Sequence, residues 1–351
     1  MLQTVLDGAQ SVEHEIEPVF LQDGPWAAEL ARAGLRVHVL EAGRLRHVHR
    51  YLATVVRLAR ILRARKPDVI LNWSAKTQLY GSPAAALAGM ANRVIWWQHD
   101  IPAPTAIDLV ATLLPARAVG ATSASAAAAQ RRLFPRRRTF VVHAGTAPPG
   151  ARSAGERPSM QSPPGVPVVG IVGRLQPWKG QDRLLRAHAL LRERGVPMHL
   201  VIVGGDSYGL SPEYARSLDL LIEQLGLSGD VTMTGEVPDP GPYIEQMDVL
   251  VNASDPEPFG IVLLEGFARS VAVVAVDAGG PRELIEQRQT GVLAASGEPS
   301  ALADALEPLL RSAELRRTLG EAGRARFERD LTDVAMRERF FAALRRAAAR
   351  R

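Results

Sequence analysis

The sequence predicts an α/β protein made of two doubly wound domains, each with a parallel sheet covered by helices. Short apolar runs alternate with longer stretches at helical spacing, first over 16–143 and again over 168–349. Between these regions lies GTAPPGARSAGERPSMQSPPG, whose Pro, Gly and Ser content is typical of a linker. Strand and helix alternation of this kind favours parallel strands joined by crossover helices.

The alternation also predicts the domain boundaries and the elements. We expect a first domain over 1–145, a linker over 146–166, a second domain over 167–330 and a final helix over 331–351. The predicted strands are 16–21, 36–40, 68–73, 93–98, 118–122, 139–143, 168–172, 199–204, 231–234, 248–252, 272–277 and 291–294. The predicted helices are 24–34, 44–66, 75–90, 104–114, 124–134, 180–195, 213–226, 240–247, 259–269, 281–287, 299–327 and 332–349.

Composition narrows the class of protein. The 351 residues suffice for two domains with a sizeable core in each. The chain has no cysteine, which excludes disulfides, a cysteine nucleophile and thiolate metal sites. No apolar run approaches the roughly 18 residues of a membrane-spanning helix, and the N-terminus lacks a signal-peptide pattern. These features predict a cytoplasmic protein.

The formal charge of +5 is concentrated in a few segments. The range 43–67 holds eight Arg or Lys and no acidic residue, and RRLFPRRR at 131–138 adds more. On the predicted helix 44–66, one side would carry Arg46, Arg50, Arg57 and Arg60. The other side would carry the apolar residues Val48, Leu52, Val55, Ala59 and Leu62. The basic side is either a solvated face or a peripheral contact with anionic lipid on the inner face of the membrane. Nucleic-acid binding is not predicted, since no motif or aromatic platform supports it.

The second domain contains the stretch VNASDPEPFGIVLLEGF, which has the order strand, loop, helix. The unpaired backbone N–H groups at the start of such a helix form a ready site for an anion. Gly260 would let a ligand approach that backbone closely. Glu257 lies in the loop and Glu265 eight residues later, a little over two helical turns on, so one ligand could contact both carboxylates. Taken singly, either glutamate could instead be a carboxylate favoured by the helix dipole or a solvated side chain.

This stretch resembles the E-x7-E motif of retaining glycosyltransferases of the GT-B fold, in particular glycosyltransferase family 4 (group 1). The sequences GRLQPWKG, VVAVDAGGPRELI and TGVL fit the same family. The resemblance is strong over 165–325 and weaker over 17–145. It implies two Rossmann-like domains that face each other across a cleft, with a C-terminal helix that crosses back to the first domain. Ligands of such sheets bind at the carboxyl ends of the strands.

The resemblance implies a role for several residues of the second domain. Arg174 and Lys179 would bind the donor pyrophosphate and stabilise the charge that develops on the leaving nucleoside diphosphate. Glu265 would bind the ribose hydroxyls, and Glu257 the hydroxyls of the sugar. The further candidates for donor binding are Ser254, Phe259, Gly260, Ile261, Thr234 and Gly235. A solvated Lys179 is the alternative if that residue is considered alone. No Asp-x-Asp metal signature is present, so neither a metal nor a cofactor is predicted.

In the first domain, WWQHD ends a predicted strand at a loop. His99 matches a histidine of the family near the sugar on the acceptor side, and we assign it a catalytic role with Glu257, Arg174 and Lys179. Asp100 is a weaker candidate, and a structural role for His99 is the alternative. Retaining enzymes of this fold have no agreed enzymic nucleophile, so none is assigned.

The sequence departs from the family in three places. The family opens with a strand and a Gly-rich loop that faces the acceptor, whereas MLQTVLDGAQSVEHE matches the end of the first helix. We therefore expect either a start that lies too late or a reduced acceptor side, with unpaired strand edges. Ser270 and Ala272 stand where the family often has Gly and Pro, and VVHAGTAPP departs from its usual asparagine-glycine form.

The function predicted on this resemblance is retaining, metal-independent sugar transfer of the hexosyltransferase type (EC 2.4). The donor would be a nucleotide-sugar and the acceptor a sugar or lipid-linked molecule of cell-surface polysaccharide or glycolipid biosynthesis. The alternative is a non-catalytic nucleotide-sugar-binding or scaffold protein derived from such an enzyme. A GT-B epimerase would use other carboxylates. A nicotinamide dehydrogenase is disfavoured because GIVGRL and VGGDSYG fail the G-x-G-x-x-G spacing.

Overall fold

A computed structural model describes residues 1–7, 14–43, 45–150, 158–206, 209 and 211–349. The chain divides into two compact units. Unit 1 comprises Met1–His143 and Met336–Arg351, and unit 2 comprises Ala144–Ala335. Both units are built of parallel strands alternating with helices, so the predicted α/β class is confirmed.

Unit 1 contains two parallel sheets in its described residues. Its strands are β1 (Val19–Phe20), β2 (His38–Val39), β3 (Ile70–Asn72), β4 (Val94–Gln98), β5 (Ala118–Ala121) and β6 (Thr139–Val141). One sheet has the order β1-β2 and the other β3-β4-β5-β6. In a doubly wound sheet of order 3-2-1-4-5-6, the first strand lies between the second and the fourth. In the described residues of unit 1, the two-stranded and four-stranded sheets are not paired with each other.

The helices of unit 1 connect these strands and cover them. They are α1 (Leu2–Asp7), α2 (Pro25–Arg32), α3 (Val48–Arg65), α4 (Ala75–Leu87), α5 (Ala106–Leu113) and α6 (Ala124–Leu133). Several begin at hydroxyl caps, as the sequence pattern requires: Ser74 caps α4, Thr105 caps α5 and Ser123 caps α6. The last helix, α14 (Asp333–Ala349), contributes Met336, Phe340 and Phe341 to a core cluster of unit 1.

The centre of unit 1 is aromatic. Trp96 and Trp97 are fully buried on β4, and the Trp97 ring lies 4.9 Å from that of Phe340. The neighbouring strand makes room with Gly120, where a Cβ atom would lie 2.3 Å from Cε3 of Trp97. Apolar burial of this size is the main stabilising term for the unit. It also fixes the end of β4, which leads directly to His99.

Unit 2 contains one six-stranded parallel sheet in the described residues, with the order β12-β11-β10-β7-β8-β9. Its strands are β7 (Val168–Val172), β8 (His199–Val203), β9 (Val231–Met233), β10 (Val249–Asn252), β11 (Ala272–Val276) and β12 (Val292–Ala294). Chain order reverses between β7 and β10, which pair in register from Val249 with Val169. In open α/β sheets, ligands bind at such a reversal, beyond the carboxyl ends of the strands.

The helices of unit 2 cover this sheet. They are α7 (Gln181–Glu193), α8 (Pro212–Gln224), α9 (Gly241–Ile244), α10 (Ile261–Ala268), α11 (Pro281–Leu284), α12 (Pro299–Arg311) and α13 (Ala313–Arg326). The core is aliphatic: strands β7, β8 and β10 are almost entirely buried and rich in Val, Ile and Leu. This composition is expected of parallel strands that are covered on both faces.

Several predicted elements are shorter in the structure, and two predicted helices differ in how they are built. The single helix predicted over 299–327 is two helices, because the Ser312 side chain accepts a hydrogen bond from the Leu315 N–H and so starts α13. A π-helical turn over Phe327–Leu331 follows α13. The predicted helix 44–66 begins at Val48, so Arg46 precedes it. Parts of the predicted helix 44–66, the linker and the last helix lie outside the described residues, namely 44, 151–157 and 350–351.

The orientation of α3 also differs from the prediction. Val48 and Leu52, expected on its buried side, are 63% and 55% exposed. The buried residues of α3 are Thr54, Val55, Leu58, Ala59 and Leu62. The buried face is thus centred nearer to Leu58, and Val48, Leu52 and Val56 form an exposed apolar row at helical spacing along its margin.

Candidate functional site

The predicted donor-binding residues of unit 2 come together at the carboxyl ends of β7 and β10. The loop after β7 carries Arg174 and leads through a 3-10 turn, Pro177–Lys179, to α7. The loop after β10 carries Ser254 and Glu257 and leads to α10. The Asp255 N–H donates to the Trp178 carbonyl at 3.1 Å, so the two loops are in direct contact.

A partly buried ion pair joins the two loops. Glu257 is only 7% exposed, and its Oε2 lies 3.0 Å from Nζ of Lys179. Asn252, at the end of β10, donates from Nδ2 to the same oxygen at 3.3 Å. The Lys179 ammonium also lies 4.0 Å from the centre of the Trp178 ring, within range of a cation–π interaction. The carboxylate and the ammonium are therefore fixed before any ligand binds.

Two glycines after β11 hold the Glu257 backbone. The Gly280 N–H donates to the Glu257 carbonyl at 2.8 Å. Gly279 adopts a left-handed conformation, with φ of 81°, and a Cβ there would lie 2.1 Å from the same carbonyl oxygen. Only glycine permits this close approach in this conformation. The segment Ala278-Gly279-Gly280 thus holds the backbone of Glu257 in position.

Arg183 on α7 fastens the two loops together. Its Nη2 donates to the Ala253 carbonyl at 2.5 Å, and Trp178 O lies 3.4 Å away. Gly180, at the start of α7, has no room for a side chain because a Cβ would lie 2.5 Å from Ala253 O. The turn that carries Lys179 and the loop that carries Glu257 are consequently packed backbone against backbone.

The N-terminus of α10 lies directly after Glu257. Gly260 is in the left-handed region, with φ of 99°, and α10 begins at Ile261 without a side-chain cap. The first N–H groups of a helix have no partner within it and favour a negatively charged ligand. Phe259 is buried and anchors the start of the helix, while Ile261 is 46% exposed. Ser254 is also buried, and its N–H donates to Asn252 Oδ1 at 3.1 Å.

Glu265 lies one further turn along α10 and is partly buried. Burial raises the pKa of its carboxyl group above the usual value, and the nearby Asp239 carboxylate adds to this increase. The Arg269 guanidinium opposes the increase in pKa. A partly desolvated carboxylate of this kind gains most from donors such as a pair of hydroxyl groups.

The remaining predicted residues of unit 2 are Arg174, Thr234 and Gly235. They lie near glycines that follow strands β7 and β8. Arg174 is exposed, and within the described chain no ion pair holds its side chain. Beside it, Gly204 approaches Gly173 so closely that a Cβ would lie 2.1 Å from the Gly173 carbonyl oxygen. The Gly204 N–H donates to the Gly235 carbonyl at 3.0 Å, which brings Thr234 and Gly235 to the same edge of the sheet.

His99 and Asp100 belong to unit 1. His99 follows β4, and its ring lies 4.9 Å from that of Trp73. Burial lowers the pKa of the His99 imidazole to about 4, so the ring is neutral at neutral pH. Its Nε2 atom is buried and has no hydrogen-bond partner among the residues that the structure describes. A neutral ring with one unused nitrogen could bind a hydroxyl group.

Sequence reasoning missed four contributors to this arrangement: Asn252, Trp178, Arg183 and the pair Gly279-Gly280. The VDAGG sequence drew attention to the glycines as a family signature, but their contact with Glu257 depends on how the loops fold. In the described part of the chain, no three His, Asp or Glu residues are grouped as metal ligands. Nor does any helix there combine the length and apolar character that crossing a bilayer requires.

Comparisons with known proteins show which family the part of the chain that carries this site resembles. The model of the glycosyl transferases group 1 family matches residues 154–326. The D-inositol 3-phosphate glycosyltransferase of Nocardia farcinica is 36% identical over 178 residues, or 49% of this chain and 39% of that protein. The lipopolysaccharide core biosynthesis glycosyltransferase LpsE of Rhizobium meliloti is 32% identical, over 48% of this chain and 46% of the relative. The matches thus span less than half of either relative's length.

The likeness in structure covers nearly the whole chain. The crystal structure of Anabaena Alr3699/HepE in complex with UDP and glucose matches with a TM-score of 0.80. The match covers 97% of this chain and 95% of the other, at 23% sequence identity. At that identity the likeness shows the fold alone. Residues 154–326 of this chain therefore match the glycosyl transferases group 1 family, and the chain has the GT-B fold.

Proposed function

We propose that this protein is a retaining glycosyltransferase that moves a sugar from a nucleotide-sugar donor to an acceptor hydroxyl. The observation that carries the proposal is the partly buried Lys179–Glu257 pair beside the N-terminus of α10. This arrangement offers a cation and helix N–H groups to a diphosphate, and a carboxylate to the hydroxyls of a sugar. The complex of the Anabaena relative with UDP and glucose supports a donor of this class.

In the proposed reaction, the bond between the anomeric carbon and the diphosphate oxygen breaks. The acceptor oxygen then bonds to the same face of the anomeric carbon, and its proton passes to the leaving diphosphate oxygen. Negative charge on the diphosphate grows as the bond breaks. Lys179, Arg174 and the N-terminus of α10 stabilise that charge, while Glu265 holds the ribose hydroxyls. Glu257 orients the sugar and is not assigned as a nucleophile.

Metal independence and the absence of a cofactor are part of the proposal. A divalent metal would serve to neutralise the leaving diphosphate. Two side-chain cations and an uncapped helix N-terminus in this loop region can supply that neutralisation. His99 is proposed to bind the sugar or the acceptor through its unused Nε2 atom. Asp100 stays a weaker candidate for the same side.

The acceptor is proposed to be a sugar or a lipid-linked molecule of cell-surface polysaccharide or glycolipid assembly. The relatives named for lipopolysaccharide core biosynthesis support this proposal. A cytoplasmic protein that contacts the inner membrane face through 44–66 would reach such an acceptor. The α3 helix carries the exposed row Val48, Leu52 and Val56 together with arginines, which suits the boundary between lipid head groups and acyl chains.

We expect one class of nucleotide-sugar to raise the melting temperature of the protein, because a ligand that binds only the folded state stabilises it. The measurement is a thermal-shift screen of UDP-, GDP- and ADP-sugars, with and without EDTA. A clear shift for one base that EDTA leaves unchanged would support a metal-free donor site. A shift that EDTA abolishes would contradict metal independence. No shift with any donor would contradict donor binding. A shift without transfer would favour a non-catalytic binding protein.

Charge reversal at Arg50 and Arg57 should weaken binding to anionic vesicles at low salt. Both arginines are exposed on α3, and each basic residue near an anionic surface contributes about 1 kcal/mol of attraction. Co-sedimentation of the Arg50→Glu/Arg57→Glu variant with phosphatidylglycerol vesicles measures the effect. A matched control reverses Arg216 and Arg317, which are exposed on unit 2. Equal losses in both variants would indicate a general effect of net charge.

A further inference from the structure

The outer face of α5 is apolar and exposed. Ile107, Val110 and Leu113 are 53%, 50% and 70% exposed, and Leu109 is 40% exposed. Their spacing places all four on one side of the helix, while Ala111 and Thr112 are buried on the other. Helices on the surface of a soluble protein normally present polar residues outward. A cluster of this kind marks a surface that binds another apolar phase.

A strongly basic segment borders this face. The Arg137 guanidinium donates to the Leu114 carbonyl at 2.6 Å, directly after the end of α5. The Gln130 amide donates to the Thr112 hydroxyl at 2.9 Å, which packs α6 against α5. The exposed arginines of α6 and the loop after it are Arg131, Arg132, Arg136 and Arg138. The two hydrogen bonds pack the segment that carries these arginines against the C-terminal part of α5.

Acidic groups do little to offset this charge. Across 101–143 the sequence has six arginines and one acidic residue, Asp108. The Asp108 carboxylate already accepts hydrogen bonds from the Thr105 hydroxyl, at 3.1 Å, and the Ala103 N–H, at 3.2 Å. Arginine stays charged at every physiological pH. The surface thus combines an apolar face with a permanent positive charge along one border.

We propose that the outer face of α5, with the basic segment 131–138 beside it, is a docking surface for an anionic lipid bilayer. Aliphatic side chains on one helix face enter the boundary of the acyl chains, while arginines at its edge contact lipid phosphates. A second copy of the chain fits less well, because a twofold contact between these faces would bring like charges together. The proposal does not depend on sugar transfer, and it is separate from the contact proposed for α3.

The test is co-sedimentation with two kinds of vesicle, one of pure phosphatidylcholine and one of phosphatidylcholine mixed with phosphatidylglycerol. The full-length chain should bind the mixed vesicles more tightly than the neutral ones. Replacing Ile107, Val110 and Leu113 with serine should lower partitioning into the mixed vesicles by roughly tenfold or more, since three aliphatic side chains no longer leave water. Replacing Arg131, Arg132 and Arg136 with glutamine should weaken the preference for the anionic lipid and leave binding to neutral vesicles unchanged.

A matched control replaces Leu220 with serine and Arg216 with glutamine on α8, where both residues are exposed. This control should bind as the unaltered protein does. The melting temperature of the glutamine variant should be unchanged, which would show that the variant is folded. Wild-type binding by both α5-side variants would overturn the proposal and leave any membrane contact to α3. Self-association of the unaltered protein without lipid, lost in the serine variant, would also overturn it and identify a protein interface.

Discussion

Replacing Lys179 with alanine is expected to lower the rate of sugar transfer by about 10²–10³-fold, because the transition state loses a fixed cation beside the leaving diphosphate. Lys179 is held in place by Glu257 at 3.0 Å and by the Trp178 ring. Its charge therefore needs no reorganisation when the glycosidic bond breaks. The measurement is kcat with the donor identified by thermal shift, at saturating donor and acceptor.

The companion change, Glu257→Gln, should lower the rate of transfer by a similar factor, but for a different reason. The glutamine keeps the shape of the side chain and removes its charge, so it can no longer pair with Lys179 or accept two sugar hydroxyls as a carboxylate does. The Lys179 ammonium, whose side chain is 21% exposed, would lose its ion-pair partner. We therefore expect a modest fall in melting temperature together with the loss of activity.

Lys76→Ala is the matched control, since Lys76 is an exposed lysine on α4 in unit 1. It should keep the wild-type kcat. If Lys179→Ala or Glu257→Gln kept near wild-type turnover on a confirmed donor, the assignment of the site would be wrong. If Lys179→Ala raised the KM for the donor and kept the wild-type kcat, the lysine would act in uniform binding of the donor and not in the transition state.

The sequence predicted much of the fold because most elements carry a strong local signal. The strand β7 was predicted with its observed bounds. The fully buried strands β10 and β11 were each predicted one residue too long at one end. The row of exposed apolar residues on α3 was missed. Which apolar residues of an amphipathic helix are covered depends on where the neighbouring helix ends, and periodicity does not contain that information.

The sequence likewise allowed only some residues of the candidate site to be selected. Glu257 and Gly260 could be selected from the strand, loop and helix pattern, and Lys179 from the resemblance to the family. The residues that position them could not be selected in this way. Asn252 contacts Glu257 from five positions away, but Arg183 acts on the backbone of Ala253, 70 positions along the chain. Such contacts to backbone carbonyls leave no pattern in a sequence.

Gly279 offers the clearest test of that positioning. A Gly279→Ala variant should lose more than about 2 kcal/mol of stability in unit 2, because the residue has φ of 81° and a Cβ would lie 2.1 Å from the Glu257 carbonyl oxygen. The clash is with backbone, so it can be relieved only by moving the loop that carries Glu257. We expect the thermal shift caused by the donor to disappear as well.

The Gly195→Ala variant distinguishes the loss of stability caused by backbone strain from the loss caused by displacing the loop that carries Glu257. Gly195 also has a left-handed conformation, with φ of 68°, but a Cβ at this position would meet no other part of the chain within 4 Å. That variant should lose only about 1 kcal/mol and keep its response to the donor, since it incurs backbone strain alone. If the two alanine variants lost equal stability and both kept the donor response, contact with Gly279 would not be what positions Glu257. A selective loss in Gly279→Ala would show that the glycine pair after β11 belongs to the donor site as much as the charged residues do.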